Sequence, residues 1–370
     1  MPRAAYLDWN ATAPLREEAE AAMAAALACC GNPSSVHRFG RDARRLLEAA
    51  RWDVASLIGA ASAEIVFTSG GSEANQLALR GIAGRRIVVS AIEHDSVRQA
   101  VPDAAIVPVS RDGVVDLAAL DRLLAADARP ALVSLMAANN ETGVIQPVAE
   151  AARIAHARGA LLHCDAVQAA GKLALDVSAV GADLLTLSAH KLGGPPGVGA
   201  LYVAAAVPLA AVQTGGGQER GRRAGTENLP GIVGFGAACA AAARCLDDYA
   251  AVSKLRDVAE RRLAAIAPEA PIHGATAPRL ANTLCIGMPG MPAATQVMAL
   301  DLAGVMVSAG AACSSGKLRR SVVLEAMGVP ADAADCAIRI SLGWSTTAED
   351  IDQLVEAWTA LYARRRASAA

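Results

Sequence analysis

Ile65-Val66-Phe67-Thr68-Ser69-Gly70-Gly71-Ser72-Glu73-Ala74-Asn75 is the stretch on which the reading of this chain turns. Four strand-forming residues meet a double glycine, and a helix-like pattern from Glu73 to Ile82 follows. The same rhythm continues downstream. Ile87 to Val89, Ala105 to Val109, Leu132 to Met136, Leu161 to Cys164, Leu184 to Leu187 and Ala200 to Val203 read as strands. Leu117 to Leu124 and Val148 to Ala157 read as intervening helices. Such alternation predicts an α/β fold, a mostly parallel sheet covered by helices on both faces. Ligands of these sheets gather at the carboxyl ends of the strands.

An Ala-rich segment from about Ile232 to Leu263 reads as one long helix. Beyond Pro268, short strands (Ala281 to Ile286, Ile338 to Leu342) alternate with helices, ending at Ala348 to Ala363. This predicts a smaller C-terminal α+β domain. The expected division is a large domain over 13–250 and a small one formed by 1–12 and 251–370.

Composition narrows the function classes. The chain has 370 residues, more than one typical domain, and 54% are hydrophobic, enough for a substantial core. With 34 basic against 36 acidic residues and 3% aromatics, nothing favours nucleic acid as a partner. No apolar run approaches the ~18 residues of a membrane span, so no membrane is expected. The eight cysteines show no C-x-x-C pair and no metal-ligand spacing to histidine. No metal is expected, and a reducing, cytoplasmic setting is.

Several residues at predicted strand ends carry chemistry. Gly71 and Ser72 open a helix whose first N–H groups are unpaired, a cradle for a phosphate, although a glycine-rich cap serves equally without one. Lys191 lies between the apolar run ending at Leu187 and Gly193-Gly194-Pro195-Pro196-Gly197. Burial there favours the neutral amine that forms a Schiff base. Asp165 ends the run from Leu161; a carboxylate there needs a positive partner such as a protonated pyridine nitrogen, unless it is a helix N-cap. Gln168 is within reach of a ring oxygen. His94 is placed to stack on a ring and shuttle protons, or is structural. Asn140, in Asn139-Asn140-Glu141-Thr142-Gly143, orients a substrate or belongs to a turn. Together these residues outline a site for pyridoxal 5'-phosphate (PLP). Cys313 stands among small residues and glycines (Ser308 to Gly316), the composition of an exposed loop, with Lys317, Arg319 and Arg320 near in sequence to raise its thiolate fraction.

In their order, Tyr6 to Thr12, Asn32 to His37, Thr68 to Asn75, Glu93-His94, Asn139 to Gly143, His163 to Lys172 and Ser188 to Gly199 resemble the cysteine desulfurases of the class V aminotransferase group. So do Gly215 to Gly221, Gly225 to Asn228, Ser308 to Ser315 and Ile338 to Gly343, so the resemblance spans nearly the whole chain. It implies the PLP-dependent transferase fold of type I. It also implies PLP carried by Lys191, with Asp165 on the ring nitrogen, Gln168 on the ring oxygen and His94 stacked. Ser72, Ser188 and His190 would bind phosphate, joined by Thr226 from the second subunit of a homodimer. Asn140 and Arg339 would hold the substrate, L-cysteine. Its sulfur would pass to Cys313 as a persulfide, releasing L-alanine, and then to a sulfur-acceptor protein such as an iron–sulfur scaffold.

The sequence departs from the family's pattern at Ser72, Pro196, Ala309, Ala311 and Trp344. The long, small-residue loop resembles the branch serving iron–sulfur cluster assembly, including nitrogen fixation. A selenocysteine lyase or another class V aminotransferase shares the cofactor residues, and a sulfur carrier without catalysis is a further alternative.

Overall fold

The computed structural model describes residues 4–310 and 320–369. Its strands, in chain order, are β1 (Ala5–Tyr6), β2 (Ile65–Thr68), β3 (Arg86–Ser90), β4 (Ala105–Val107), β5 (Ala131–Met136) and β6 (Leu161–Asp165). They continue with β7 (Leu184–Ser188), β8 (Gly199–Val203), β9 (Thr283–Gly287), β10 (Val305–Met306), β11 (Ser308–Ala309) and β12 (Ala337–Ser341).

Seven strands form the main sheet in the order β2-β8-β7-β6-β5-β3-β4. Only β8 is reversed: it pairs antiparallel with β2 and β7, while all other pairings are parallel. Every residue of β5, β7 and β8 is buried, as central strands covered on both faces require. Successive side chains face opposite clusters. Phe67, Leu135 and Leu187 join one with Val54 and Phe235, whereas Val66 and Leu184 join the other with Leu77 and Leu201. This is the expected α/β architecture.

A polar row crosses the apolar interior. His163 Nδ1 lies 2.9 Å from Ser134 Oγ, and its Nε2 lies 2.9 Å from Thr186 Oγ1. Burial pushes the His163 pKa down to about 4, so the ring is neutral and both nitrogens are satisfied.

A second core gathers Leu284 of β9, Ile340 of β12 and Trp358 of the last helix, Ala348–Ala369. Its antiparallel sheet runs β11-β12-β9. The N-terminus belongs here too: β1 pairs with β10, and Leu7 is fully buried in this core.

The single helix expected from Ile232 to Leu263 is instead two. Leu229–Arg244 and Tyr249–Ile266 are separated by a 3-10 turn, Leu246–Asp248, with a 59° bend between the two halves. The bend serves two cores at once. Ile232, Phe235 and Cys239 pack under the main sheet, whereas Tyr249, Val252 and Leu263 pack in the second core. No straight helix reaches both. Among the described residues no single helix is long and apolar enough to cross a membrane.

Candidate active site

A cavity of about 230 Å³ opens at the carboxyl ends of β5, β6 and β7. Lys191 enters it from a 3-10 turn, Ala189–Lys191, directly after β7. Its Nζ donates to the backbone carbonyls of Asn10 at 2.7 Å and Ala11 at 2.8 Å. The following loop is tightly seated. Gly193 has φ +90°, and a Cβ there would lie 2.6 Å from Arg16 and 2.7 Å from Trp344. Arg16 in turn stacks 3.8 Å over the Trp344 ring, which accounts for that aromatic residue.

Asp165 is the last residue of β6 and is buried. Its Oδ1 accepts from Val167 N at 3.0 Å, and its Oδ2 accepts from Asn75 Nδ2 at 2.8 Å. Asn75 also donates to Ser96 Oγ at 2.9 Å, and Ser96 Oγ lies 2.8 Å from His94 Nδ1. The Ser96 backbone N–H donates to the same Nδ1 at 3.1 Å. His94 Nδ1 is therefore an acceptor, and a neutral His94 carries its proton on Nε2. One chain of hydrogen bonds thus joins Asp165 to His94 through Asn75, a residue the sequence reading did not single out.

Facing this wall, the helix Gly71–Arg80 begins with Ser72 in its first turn. A Cβ at Gly71 would sit 2.9 Å from Val167 and 3.4 Å from Ser188, so only glycine lets the backbone close on the cavity here. Ser188, His190, Gln168 and Asn140 complete the predicted residues that line it. Burial, and then the charge of Lys191, push the His190 pKa down to about 4, leaving a neutral imidazole 3.2 Å from Thr12 Oγ1.

Thr226 and Arg339 are not on this wall. Thr226 is exposed, in the loop before the helix Leu229–Arg244. Arg339 is buried on β12, donating to Asp8 Oδ1 at 2.7 Å and to the Asn140 carbonyl at 3.1 Å. Cys313, with Ala311 and the rest of 311–319, lies outside the described residues.

Three further residues escaped the sequence reading. Asn10 lines the cavity from the N-terminal segment. Lys172 is buried behind Gln168. Glu93 is fully buried beside Met136; burial, opposed by the Ser90 hydroxyl and Met136 N–H and reinforced by Asp165, pushes its pKa up to about 8. The only signal for Asn10 and Lys172 was their place inside quoted motifs, which carries no chemistry of its own.

The cavity joins a lysine amine, a buried carboxylate and a helix N-terminus closed down by glycine. That combination fits a phosphorylated, protonated heteroaromatic ring held through its aldehyde, which is PLP. The chain matches the aminotransferase class-V family over residues 5–354. It is 47% identical over 366 residues to a cysteine desulfurase of Cereibacter sphaeroides, covering 95% of this chain and 94% of the relative. It is 40% identical to the cysteine desulfurase IscS of Dictyoglomus turgidum, covering 96% and 94%. A NifS-like protein of Rickettsia africae superposes with a TM-score of 0.91 at 35% identity, covering 97% of this chain and 99% of that one. The fold and its relatives define a PLP-dependent enzyme of the type I fold. The chain belongs to the aminotransferase class-V family and, within it, to the cysteine desulfurases.

Proposed function

We propose that Lys191 carries PLP in this cavity and that sulfur removed from L-cysteine passes to Cys313 as a persulfide, with L-alanine as the other product. The observation that carries this reading is the convergence of Lys191 and Asp165 on one cavity at adjacent strand ends. When bound, PLP supplies an electron sink next to the α-carbon of the amino acid. Asp165, held by Asn75 and Val167 N, would keep the ring nitrogen protonated. Gly71, Ser72, Ser188 and His190 would hold the phosphate, and Gln168 would donate to the ring oxygen. His94 would cover the ring face and move protons through Nε2. Lys191 Nζ takes the α-proton, with the Asn10 and Ala11 carbonyls to receive its hydrogens. Asn140 and Arg339 hold the substrate carboxylate.

Cys313 thiolate attacks the substrate sulfur. A sulfur–sulfur bond forms as the carbon–sulfur bond breaks, and its electron pair stays with the carbon, which is protonated to alanine. One sulfur moves per alanine with no outside oxidant. The persulfide then passes to a sulfur-acceptor protein, here assigned to iron–sulfur cluster assembly, with a nitrogen-fixation scaffold as one acceptor of that kind. Thr226 completes the phosphate site of the second subunit in a homodimer. Its exposure supports this. We assign the Cys313 segment to a small domain of residues 1–12 and 251–370, beside a large domain of 13–250. The seven described cysteines are free thiols, which supports a reducing cytoplasm.

The test is mass spectrometry of the yellow protein after L-cysteine, with alanine quantified in the same tube. Alanine with one added sulfur on the Cys313 peptide is expected, and Cys313→Ser abolishes both while retaining PLP. Pyruvate or a transaminated cofactor with unmodified Cys313 refutes the reaction while leaving the cofactor site intact.

A further inference from the structure

Lys172 is a buried amine that the proposed chemistry does not use. It follows Gln168 by four residues, and its Nζ donates to Gln168 Oε1 at 2.9 Å and Asn10 Oδ1 at 3.0 Å. Neither partner is a carboxylate. Burial, then the charges of Lys191 and Arg339, push its pKa well below the ordinary lysine range. Yet either protonation state supplies the two donors that these oxygens need. A buried amine with this cost and only amide partners demands a reason.

The reason lies in what those amides do next. Gln168 Nε2 donates to the Asn10 carbonyl at 3.0 Å, the same carbonyl that accepts from Lys191 Nζ at 2.7 Å. A lysine offers hydrogens, so Gln168 must turn its oxygen toward Lys172. That leaves the second Nε2 hydrogen as the donor Gln168 has for the cavity it lines. We infer that Lys172 is a positioning residue, locking the Gln168 amide and the Asn10 side chain so that the cavity meets a donor at Gln168 and an acceptor at Asn10 O. The inference rests on the assignment of Gln168 to the PLP ring oxygen. Without Lys172, Gln168 Oε1 is a buried acceptor lacking its partner, and the amide is free to swing.

The experiment is a double-mutant cycle read on the cofactor. PLP is removed from wild type, Lys172→Met, Gln168→Ala and the double variant. The Kd for added PLP and the pH midpoint of the bound cofactor's visible absorption are then measured. Each single variant is expected to weaken PLP by about tenfold, the scale of a lost hydrogen bond to a charged group. Both are expected to move the midpoint in the same direction, and the double variant to be no worse than Gln168→Ala. Additive losses, or an unmoved midpoint in Lys172→Met, overturn the positioning role. Wild-type affinity and midpoint in Gln168→Ala overturn the Gln168 assignment itself, a failure visible in that single variant. If Lys172→Met does not fold, Lys172→Gln is measured instead: it keeps N–H donors for Gln168 and Asn10, so near-wild-type affinity and midpoint are expected, and a loss additive with Gln168→Ala overturns the positioning role.

Discussion

The carbonyl of Asn10 lies 2.7 Å from Lys191 Nζ, although 181 positions separate the two residues. Asn10 is buried, and every polar atom it has is engaged. Its N–H donates to Ser341 Oγ, its Nδ2 to Thr283 Oγ1 and the Asn140 carbonyl, and its Oδ1 accepts from Lys172 and Asn282. One N-terminal residue thereby ties the second core to the floor of the cavity. Asn10→Ala strands several buried partners, each costing about 1–3 kcal/mol. The expected result is a lower urea midpoint together with faster loss of PLP; an unchanged midpoint would refute the tie.

Asn75 links Asp165 to His94 through Ser96. Asn75→Leu keeps the volume and removes both donors. A hydrogen bond to a charged group contributes about 1.5–3 kcal/mol, so PLP should bind roughly 10- to 100-fold more weakly in that variant. Dialysis followed by absorbance reads this directly. Wild-type retention of PLP means that Asp165 needs no such partner.

Arg339 meets Asp8 at 2.7 Å with one nitrogen and the Asn140 carbonyl with another, while its Nε has no partner among the described residues. Arg339→Lys removes the planar fork but keeps the charge. Its KM for L-cysteine should rise by about tenfold or more, with PLP content unchanged, if the guanidinium serves the substrate. An unaltered KM takes Arg339 out of the substrate site and leaves it the structural partner of Asp8.

Two buried groups set opposite pH limits. Glu93 is raised from 4.5 to about 8, so its stability contribution is complete below pH 4.5 and is lost as pH rises toward 8. His163 is lowered from 6.5 to about 4; its contribution is present above 6.5 and lost as pH falls through 4. Glu93→Gln, which keeps an oxygen for the Ser90 and Met136 donors, should therefore remove a fall in Tm between pH 4.5 and about 8 and leave the slope below pH 4.5 unchanged. Equal slopes in the two proteins between pH 4.5 and about 8 would show that Glu93 ionises without cost where it is buried.

The strands were legible because central parallel strands are buried on both faces, so Leu132 to Met136 and Leu184 to Leu187 read as mostly apolar runs, interrupted only by Ser134 and Thr186. Their carboxyl ends followed, and with them the places of Asp165 and Lys191 in the sheet. The break at Leu246–Asp248 was not legible: an Ala-rich segment keeps helical periodicity through a bend whose cause is two separate cores. Asn75 and Glu93 were quoted as parts of motifs, but nothing local distinguishes an amide that holds a carboxylate from one that caps a turn.

By itself the sequence determined the alternation of elements, the strand ends and the residue types that meet a cofactor, because those follow from period, burial and turn chemistry within a dozen residues. Only the tertiary structure decided that Asn10 accepts from Lys191, that Lys172 stands behind Gln168 and that Arg339 is paired with Asp8. The Asn10 and Arg339 pairings join residues far apart in the chain, and the Lys172 contact acquires its role through Asn10. Hydrogen bonds depend on distance and angle in space, which no local pattern encodes.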